Sequence, residues 1–401
     1  MVSSTIGDHL RNLIPDSYTQ IDDCLTSLSI FSIAFALRVF HWFHAGYPHP
    51  RTPPDTGTYI ETCSLLFSDP IRIITFTKGP SYIGFTVPFC SVYSISGQNL
   101  QLWVFFQVML SAAACLLVYY TAAQHLNKTA GIVAGLALAI SYDAFRWDIA
   151  ILTETVSIFA MALALYSYTI FHANPTQQRK LAVFGVFAWL AILRPHGVPI
   201  VVAWVVSDMI VRERRGGIAL FSSWKIVFVL VSLLAVIPMN AMLRGGNKSG
   251  SISGAWNNGW IIYNGYKKFI ISEYKHGAVT GTDPIVFITN LPDLLVLFIL
   301  RGVAFFNPVI NFAYSGPGWK YLHNISLFIV IPLTLLGLSK LIKQRDINLL
   351  QLWTIPMLSI LGIVVLTFLS QSFRYRAVAT PVFALLVGYT VSSWWSDRCD
   401  L

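Results

Sequence analysis

Seven side chains in this sequence combine a reactive type with a position where an apolar run gives way to polar residues: Asp55, Lys78, Asp148, Glu154, Arg194, Arg374 and Arg376. A carboxylate at such an edge, wet on one side, can take the proton from a hydroxyl, a contribution typically worth ~10²–10⁴-fold in rate. Lysine and arginine held nearby can balance the charge growing on a departing phosphate without any proton transfer. Together these types suit attack by an acceptor hydroxyl on a carbon whose leaving group is a phosphate. Asp55 is read as the base. Glu154 is read as a second acid that orients the acceptor or pairs with an arginine.

Each of these residues has a plain structural alternative. Asp55 opens the stretch DTGTYIETCSLLF, and a helix starting near Thr56 would make it an N-cap. On that helix Tyr59, Cys63 and Phe67 share a face at i, i+4 spacing. Arg194 can snorkel to a membrane interface, Arg374 and Arg376 can anchor a span end, and Asp148 can pair with Arg146 as structure only. His41, His44, His49 and His196 show no H-E-x-x-H spacing and are read as interfacial; no cofactor is expected, and a divalent metal stays open without support from the spacing. Cys24, Cys63, Cys90, Cys115 and Cys399 form no C-x-x-C pair, which argues against a zinc or thioredoxin-type site and says little about redox compartment.

The elements that must hold these residues are membrane helices. Of 401 residues 55% are apolar and 11% charged, against the ~25% charged of soluble domains. Apolar runs of about 20 residues recur along the chain, and lipid offers backbone groups no hydrogen-bond partner, so the runs must be helical. The expected fold is all-α, a polytopic transmembrane bundle of about ten spans: 25–47, 100–122, 130–142, 153–171, 181–194, 198–211, 223–242, 322–338, 349–369 and 377–394.

Basic residues orient the bundle. Lys128, Arg179, Lys180, Arg212, Arg214, Arg215, Lys340, Lys343 and Arg345 fall in alternate loops, which are cytoplasmic under the positive-inside rule. The net charge of +9 therefore reflects topology, and no nucleic-acid partner is expected. The polar segment 1–24 is expected on the cytoplasmic side with no cleavable signal peptide. The opposite side receives Asp143, Asp148, Glu154, the Arg194-Pro195-His196 corner, Arg374-Tyr375-Arg376 and the long stretch 243–320. Segment 292–308 carries Arg301 near its middle, costly at a span centre by about 2.5–3.5 kcal/mol. Parity between the Arg212 and Lys340 loops then makes it a helix in the outer interface. Segment 81–96, short and interrupted by Pro88, is left open by parity.

In this order and on this side the motifs resemble those of the GT-C glycosyltransferases, above all aminoarabinose transferases and protein O-mannosyltransferases. The motifs are Asp55-x-x-x-Tyr59 after the first span, Lys78-Gly79-Pro80, Leu152-Thr153-Glu154-Thr155, Leu193-Arg194-Pro195, and Arg374-Tyr375-Arg376 with Pro381 following. The resemblance runs from about Arg38 to Gly388. It departs where many members carry Asp-Glu and this chain has Asp55-Thr56, and where some carry Lys-Pro-Pro.

The resemblance implies two interfacial helices in the first outer loop, 81–96 being the second. It divides the chain into a catalytic membrane module over 25–242, with outer loop 48–99, an outer loop 243–320 holding the interfacial helix, and C-terminal spans over 321–401. It implies an enzyme that moves a monosaccharide, with inversion, from a polyprenyl-phosphate donor in the membrane lipid to a glycan, lipid or protein acceptor on the non-cytoplasmic face. Asp55 and Glu154 would be catalytic; Tyr59, Lys78, Asp148, Arg194, Arg374, Tyr375 and Arg376 would bind substrate. The location is integral and multi-pass, in a bacterial or archaeal plasma membrane or the endoplasmic reticulum. The rival reading is a transporter or lipid-linked sugar flippase, which would place charges near the midplane in repeated halves.

Overall fold

A computed structural model describes residues 16–45, 47–69, 82–213, 260–264, 267–270, 291–306, 319–346, 349–367 and 372–399. In chain order the helices are α1 Asp16–Ala45, α2 Pro54–Ser68, α3 Ile83–Ile95, α4 Leu100–His125, α5 Lys128–Ile140, the single turn α6 Tyr142–Phe145, α7 Glu154–Ala173, α8 Gln177–Leu193 and α9 Gly197–Glu213. A two-stranded antiparallel hairpin follows, β1 Trp260–Asn264 with β2 Lys267–Ile270. It is the one departure from an all-helical fold among the described residues. Then come α10 Leu291–Phe306, α11 Trp319–Gln344, a π-helical turn Leu350–Thr354 running into α12 Ile355–Thr367, and α13 Ser372–Cys399.

Among the described residues five helical stretches are long and apolar enough to cross a membrane: Asp22–Ala45, Leu100–His125, Glu154–Ala173, Ile325–Gln344 and Arg374–Trp395. The expected spans 130–142, 198–211 and 349–369 appear as shorter apolar helices, and 223–242 lies outside the described residues. Short α5 fits because its small residues let neighbours approach closely. A Cβ on Gly131 would meet the carbonyl oxygen of Tyr119 on α4 at 2.8 Å, and one on Gly388 of α13 would meet that of Ala130 on α5 at 2.5 Å. The core is thus built where α4, α5, α7 and α13 pack together, with Trp103, Phe171 and Leu385 fully buried.

The chain alternates direction, so the two ends of the bundle differ chemically. One end gathers Lys128, paired with exposed Asp22 and Asp23, and the Arg179 loop. The other gathers Asp55, Glu154, Arg194 and Arg374. Helix α3 stays at this second end. Trp189 near the top of α8 donates to the carbonyl of Gly84 at 2.9 Å, while Phe85 and Phe89 pack on Trp103 at the first turn of α4. Its 13 residues thus touch two separate helices.

Arg301 of α10 does not face lipid. It is buried and donates to the carbonyl of Val365 on α12 at 2.8 Å, while Leu295, Ile299 and Val303 stay exposed on the other face. Phe305 and Phe306 pack on Phe383 of α13.

Candidate functional site

The site begins with a backbone clip. The extended residue Arg51, just before α2, bridges to the segment preceding α7. Its amide donates to the carbonyl of Ile149 at 2.9 Å, and its carbonyl accepts from Ile151 at 3.1 Å. The Thr56 hydroxyl adds a bond to the Ile151 carbonyl, and Gln107 of α4 donates to the carbonyls of Asp148 and Ala150 at 2.8 Å each. These bonds hold the start of α2 against the start of α7, which brings Asp55 and Glu154 to one place. Asp55 is not the cap that its sequence position suggested. Pro53 is the N-cap residue with no side-chain bond, Pro54 is well suited to the first helical turn, and Asp55 follows it. Its carboxylate turns instead to Arg374.

Arg374, in the first turn of α13, joins two carboxylates. Its Nη1 lies 3.1 Å from Asp55 Oδ2, and its Nε donates to Glu154 Oε1. Arg194, between α8 and α9, reaches the same Glu154 oxygen at 3.1 Å. Two carboxylates and two guanidiniums thus balance, which relieves the cost of holding ions away from water. Exposure divides their roles: the Asp55 side chain is 30% exposed, that of Arg374 13%, and that of Glu154 0%. Glu154 Oε2 and Arg194 Nε are buried with no hydrogen-bond partner among the described residues, a condition that points to a water or ligand at this spot.

Aromatic rings floor the cluster. Arg194 lies over the Tyr375 ring at 5.0 Å, and His196 meets Tyr375 edge-on at 4.8 Å. Burial, with Arg194 and Arg374 close by, pushes the His196 pKa well below its usual value, so the ring stays neutral. Tyr59, 2% exposed, packs at a tilt against Phe85 and Tyr82 of the neighbouring segment, and burial raises its phenol well above the ordinary range. One turn further along α2, Cys63 forms a disulfide with Cys90 of α3. Reading the spacing of the cysteines gave no sign of this bond.

Two residues placed with the site by sequence lie elsewhere. Arg376 is fully buried, pairs with Asp143 of α6 at 2.5 Å and donates to the carbonyl of Phe305 at 3.1 Å. Asp148 faces Arg38 of α1 at 3.4 Å, both side chains at 0% exposure, and accepts from the Thr155 hydroxyl at 2.8 Å. The alternative partner considered for it, Arg146, contacts Asp143 instead, at 3.5 Å. Lys78 lies outside the described residues. Arg38 was passed over in the sequence, although an arginine inside an apolar span is itself a signal.

Among the described residues no three His, Cys, Asp or Glu side chains converge to hold a metal ion. Both cluster carboxylates face guanidiniums.

Residues 90–241 match the family model described as dolichyl-phosphate-mannose-protein mannosyltransferase. No curated protein matches the chain. Among solved structures, the Archaeoglobus fulgidus oligosaccharyltransferase in complex with Zn and sulfate is similar over 93% of this chain at 12% identity, with a TM-score of 0.52. The archaeal oligosaccharyltransferase AglB from the same organism, with an inhibitory peptide and a dolichol-phosphate, gives 11% identity over 92% of this chain and a TM-score of 0.48. This chain spans about half of those proteins, 49% and 50%. At such identity the first likeness is one of fold. The family match covers the helices that carry Glu154 and Arg194. In motif, in family match and in fold, the chain is similar to the GT-C membrane glycosyltransferases.

Proposed function

We propose that the protein transfers a monosaccharide from a polyprenyl-phosphate carrier to an acceptor hydroxyl on the non-cytoplasmic side of a membrane, with inversion. The observation that carries this reading is the junction of Asp55, Glu154 and Arg374 at the end of the bundle away from the basic loops. The dolichyl-phosphate-mannose description of the matching family agrees with the donor class.

Asp55 is the member of the cluster most open to an incoming acceptor. In the reaction its carboxylate takes the hydroxyl proton as the oxygen attacks the anomeric carbon, and the carbon–oxygen bond to the carrier phosphate breaks. The carrier leaves as a phosphate anion. Lys78 is assigned to that phosphate; a positioned cation there is worth most where water is excluded. Arg374 holds Asp55 in place, and Glu154 holds Arg374 and Arg194 at fixed spacing, with Oε2 directed to an acceptor hydroxyl. Asp148 and Arg376 support the scaffold instead of touching substrate.

The transporter reading is disfavoured by the gathering of the Asp55 cluster at one end of the helices. The decisive experiment extracts lipid from cells that lack the protein. Accumulation of one prenyl-linked monosaccharide, restored to normal by the wild-type gene, supports transfer. An unchanged lipid profile overturns it.

A further inference from the structure

A second polar site occupies the opposite end of the bundle. Between the last turns of α4 and α7 and the π-helical turn lies a cavity of about 430 Å³, within the size range of small-molecule sites. Its polar lining includes His125, Tyr168, Thr169, His172, Asp346 and Gln351. Among the described residues no lysine or arginine side chain lines it.

These groups are built into place. Asp208 of α9 is fully buried behind the lining, an expensive position for a carboxylate. It accepts from the Tyr168 hydroxyl, and Gln351 donates to that hydroxyl at 3.2 Å and to Asp208 Oδ1 at 3.4 Å. His172 Nε2 stands 3.6 Å from the same carboxylate oxygen. The His125 ring shares a 2.9 Å hydrogen bond with the Thr169 hydroxyl. Gln351 reaches this network from the π-helical turn Leu350–Thr354. Such turns add a residue to the helical repeat, redirect a side chain, and occur frequently at functional sites.

The lining therefore mixes hydroxyls, the two amides of Gln124 and Gln351, two imidazoles and one carboxylate. Such a set can donate and accept to several hydroxyls at once. Among the described lining residues an anion would find no fixed cation, and a multiply charged cation would find a single carboxylate. From this buried, pre-ordered network we infer that the cavity is a binding site for an uncharged polyhydroxyl group, a sugar ring or polyol, separate from the Asp55 cluster. This site stands independently of the transfer reaction. It lies at the end carrying Lys128 and Arg179, where the loops are cytoplasmic by their charge. The ligand is either a free sugar or the sugar headgroup of a lipid.

The test uses the full chain in phosphatidylcholine nanodiscs. One arm titrates glucose, mannose and myo-inositol and reads saturation-transfer NMR. The second incorporates a monoglucosyl diacylglycerol and counts bound lipid by native mass spectrometry. Saturable binding in either arm that Tyr168→Phe or Gln351→Leu weakens supports the site and identifies the source, since binding at the Asp55 cluster would not respond to these variants. Tyr168→Phe keeps the ring contacts and removes the hydroxyl, and Gln351→Leu removes its amide; each is expected to weaken binding 10-fold or more. Absence of saturable binding by the wild type in both arms overturns the inference, so it does not depend on the variants folding. Binding that persists unchanged in both variants, with thermal midpoints equal to wild type, overturns it as well. Preferential binding of inorganic phosphate over the sugars would do the same.

Discussion

Arg374 Nη1 lies 3.1 Å from Asp55 Oδ2, joining the start of α2 to the start of α13 across a separation of 319 residues. The base in the proposed reaction is thus held by the far end of the chain, and its geometry depends on how α13 docks. Asp55→Asn keeps the size of the side chain and a hydrogen bond to Arg374 but cannot accept a proton. Transfer of radiolabelled sugar in membranes, normalised to protein, is expected to fall by ~10² or more. Activity near wild type would move the base to Glu154.

Arg374→Lys separates charge from geometry. A guanidinium fork spans two carboxylates, whereas an ammonium is a point charge. Transfer is expected to fall at least about 10-fold despite the conserved charge. Wild-type turnover in this variant would show that bridging Asp55 to Glu154 is unimportant.

Lys78→Met and Arg376→Met are predicted to differ in kind. The first should weaken use of the carrier lipid about 10-fold or more with stability intact. The second leaves buried Asp143 without its nearest cation, a loss of the order of 3–5 kcal/mol for breaking such a pair. A lowered thermal midpoint and low yield are expected for Arg376→Met. Normal stability with poor lipid binding would return Arg376 to the site.

The Cys63–Cys90 bond ties α2, which carries Asp55, to α3. Disulfides persist in oxidising compartments, so the bond agrees with a non-cytoplasmic location for this loop. Cys63→Ala with Cys90→Ala is expected to reduce stability by about 2–4 kcal/mol. A cysteine at exposed Gly57, where a side chain meets no atom within 4 Å, should react with an impermeant maleimide from outside the cell or from the lumen. Labelling only from the cytoplasmic face would invert the topology.

His196 sets a pH dependence. Its folded pKa is depressed, so the unfolded chain binds the proton more tightly. Its contribution to stability is complete above the unfolded value of about 6.5 and is lost as pH falls from there toward the folded pKa. His196→Phe keeps a ring against Tyr375 and should flatten the fall in thermal midpoint between about pH 7 and pH 5. An identical slope in the variant would remove His196 as its source.

Much of this protein was legible in its residues alone. Apolar runs of span length require helices because lipid cannot satisfy the backbone, and the alternation of Lys128, Arg179 and Lys340 with Glu154, Arg194 and Arg374 assigned each to its end of the bundle. Asp208 was legible too, as a lone acid in an apolar run, but was passed over. Tertiary packing decided which charge meets which. Arg374 and Arg376 are two residues apart, roughly 200° around a helix, so one turns to Asp55 and the other to Asp143. The face each presents depends on the rotation of α13 against α5, α7 and α11, which Gly388 and its neighbours set through contacts distant in sequence. The same holds for Cys63 with Cys90 and for Asp148 with Arg38: spacing along the chain carries no record of these pairs, because packed helices bring them together.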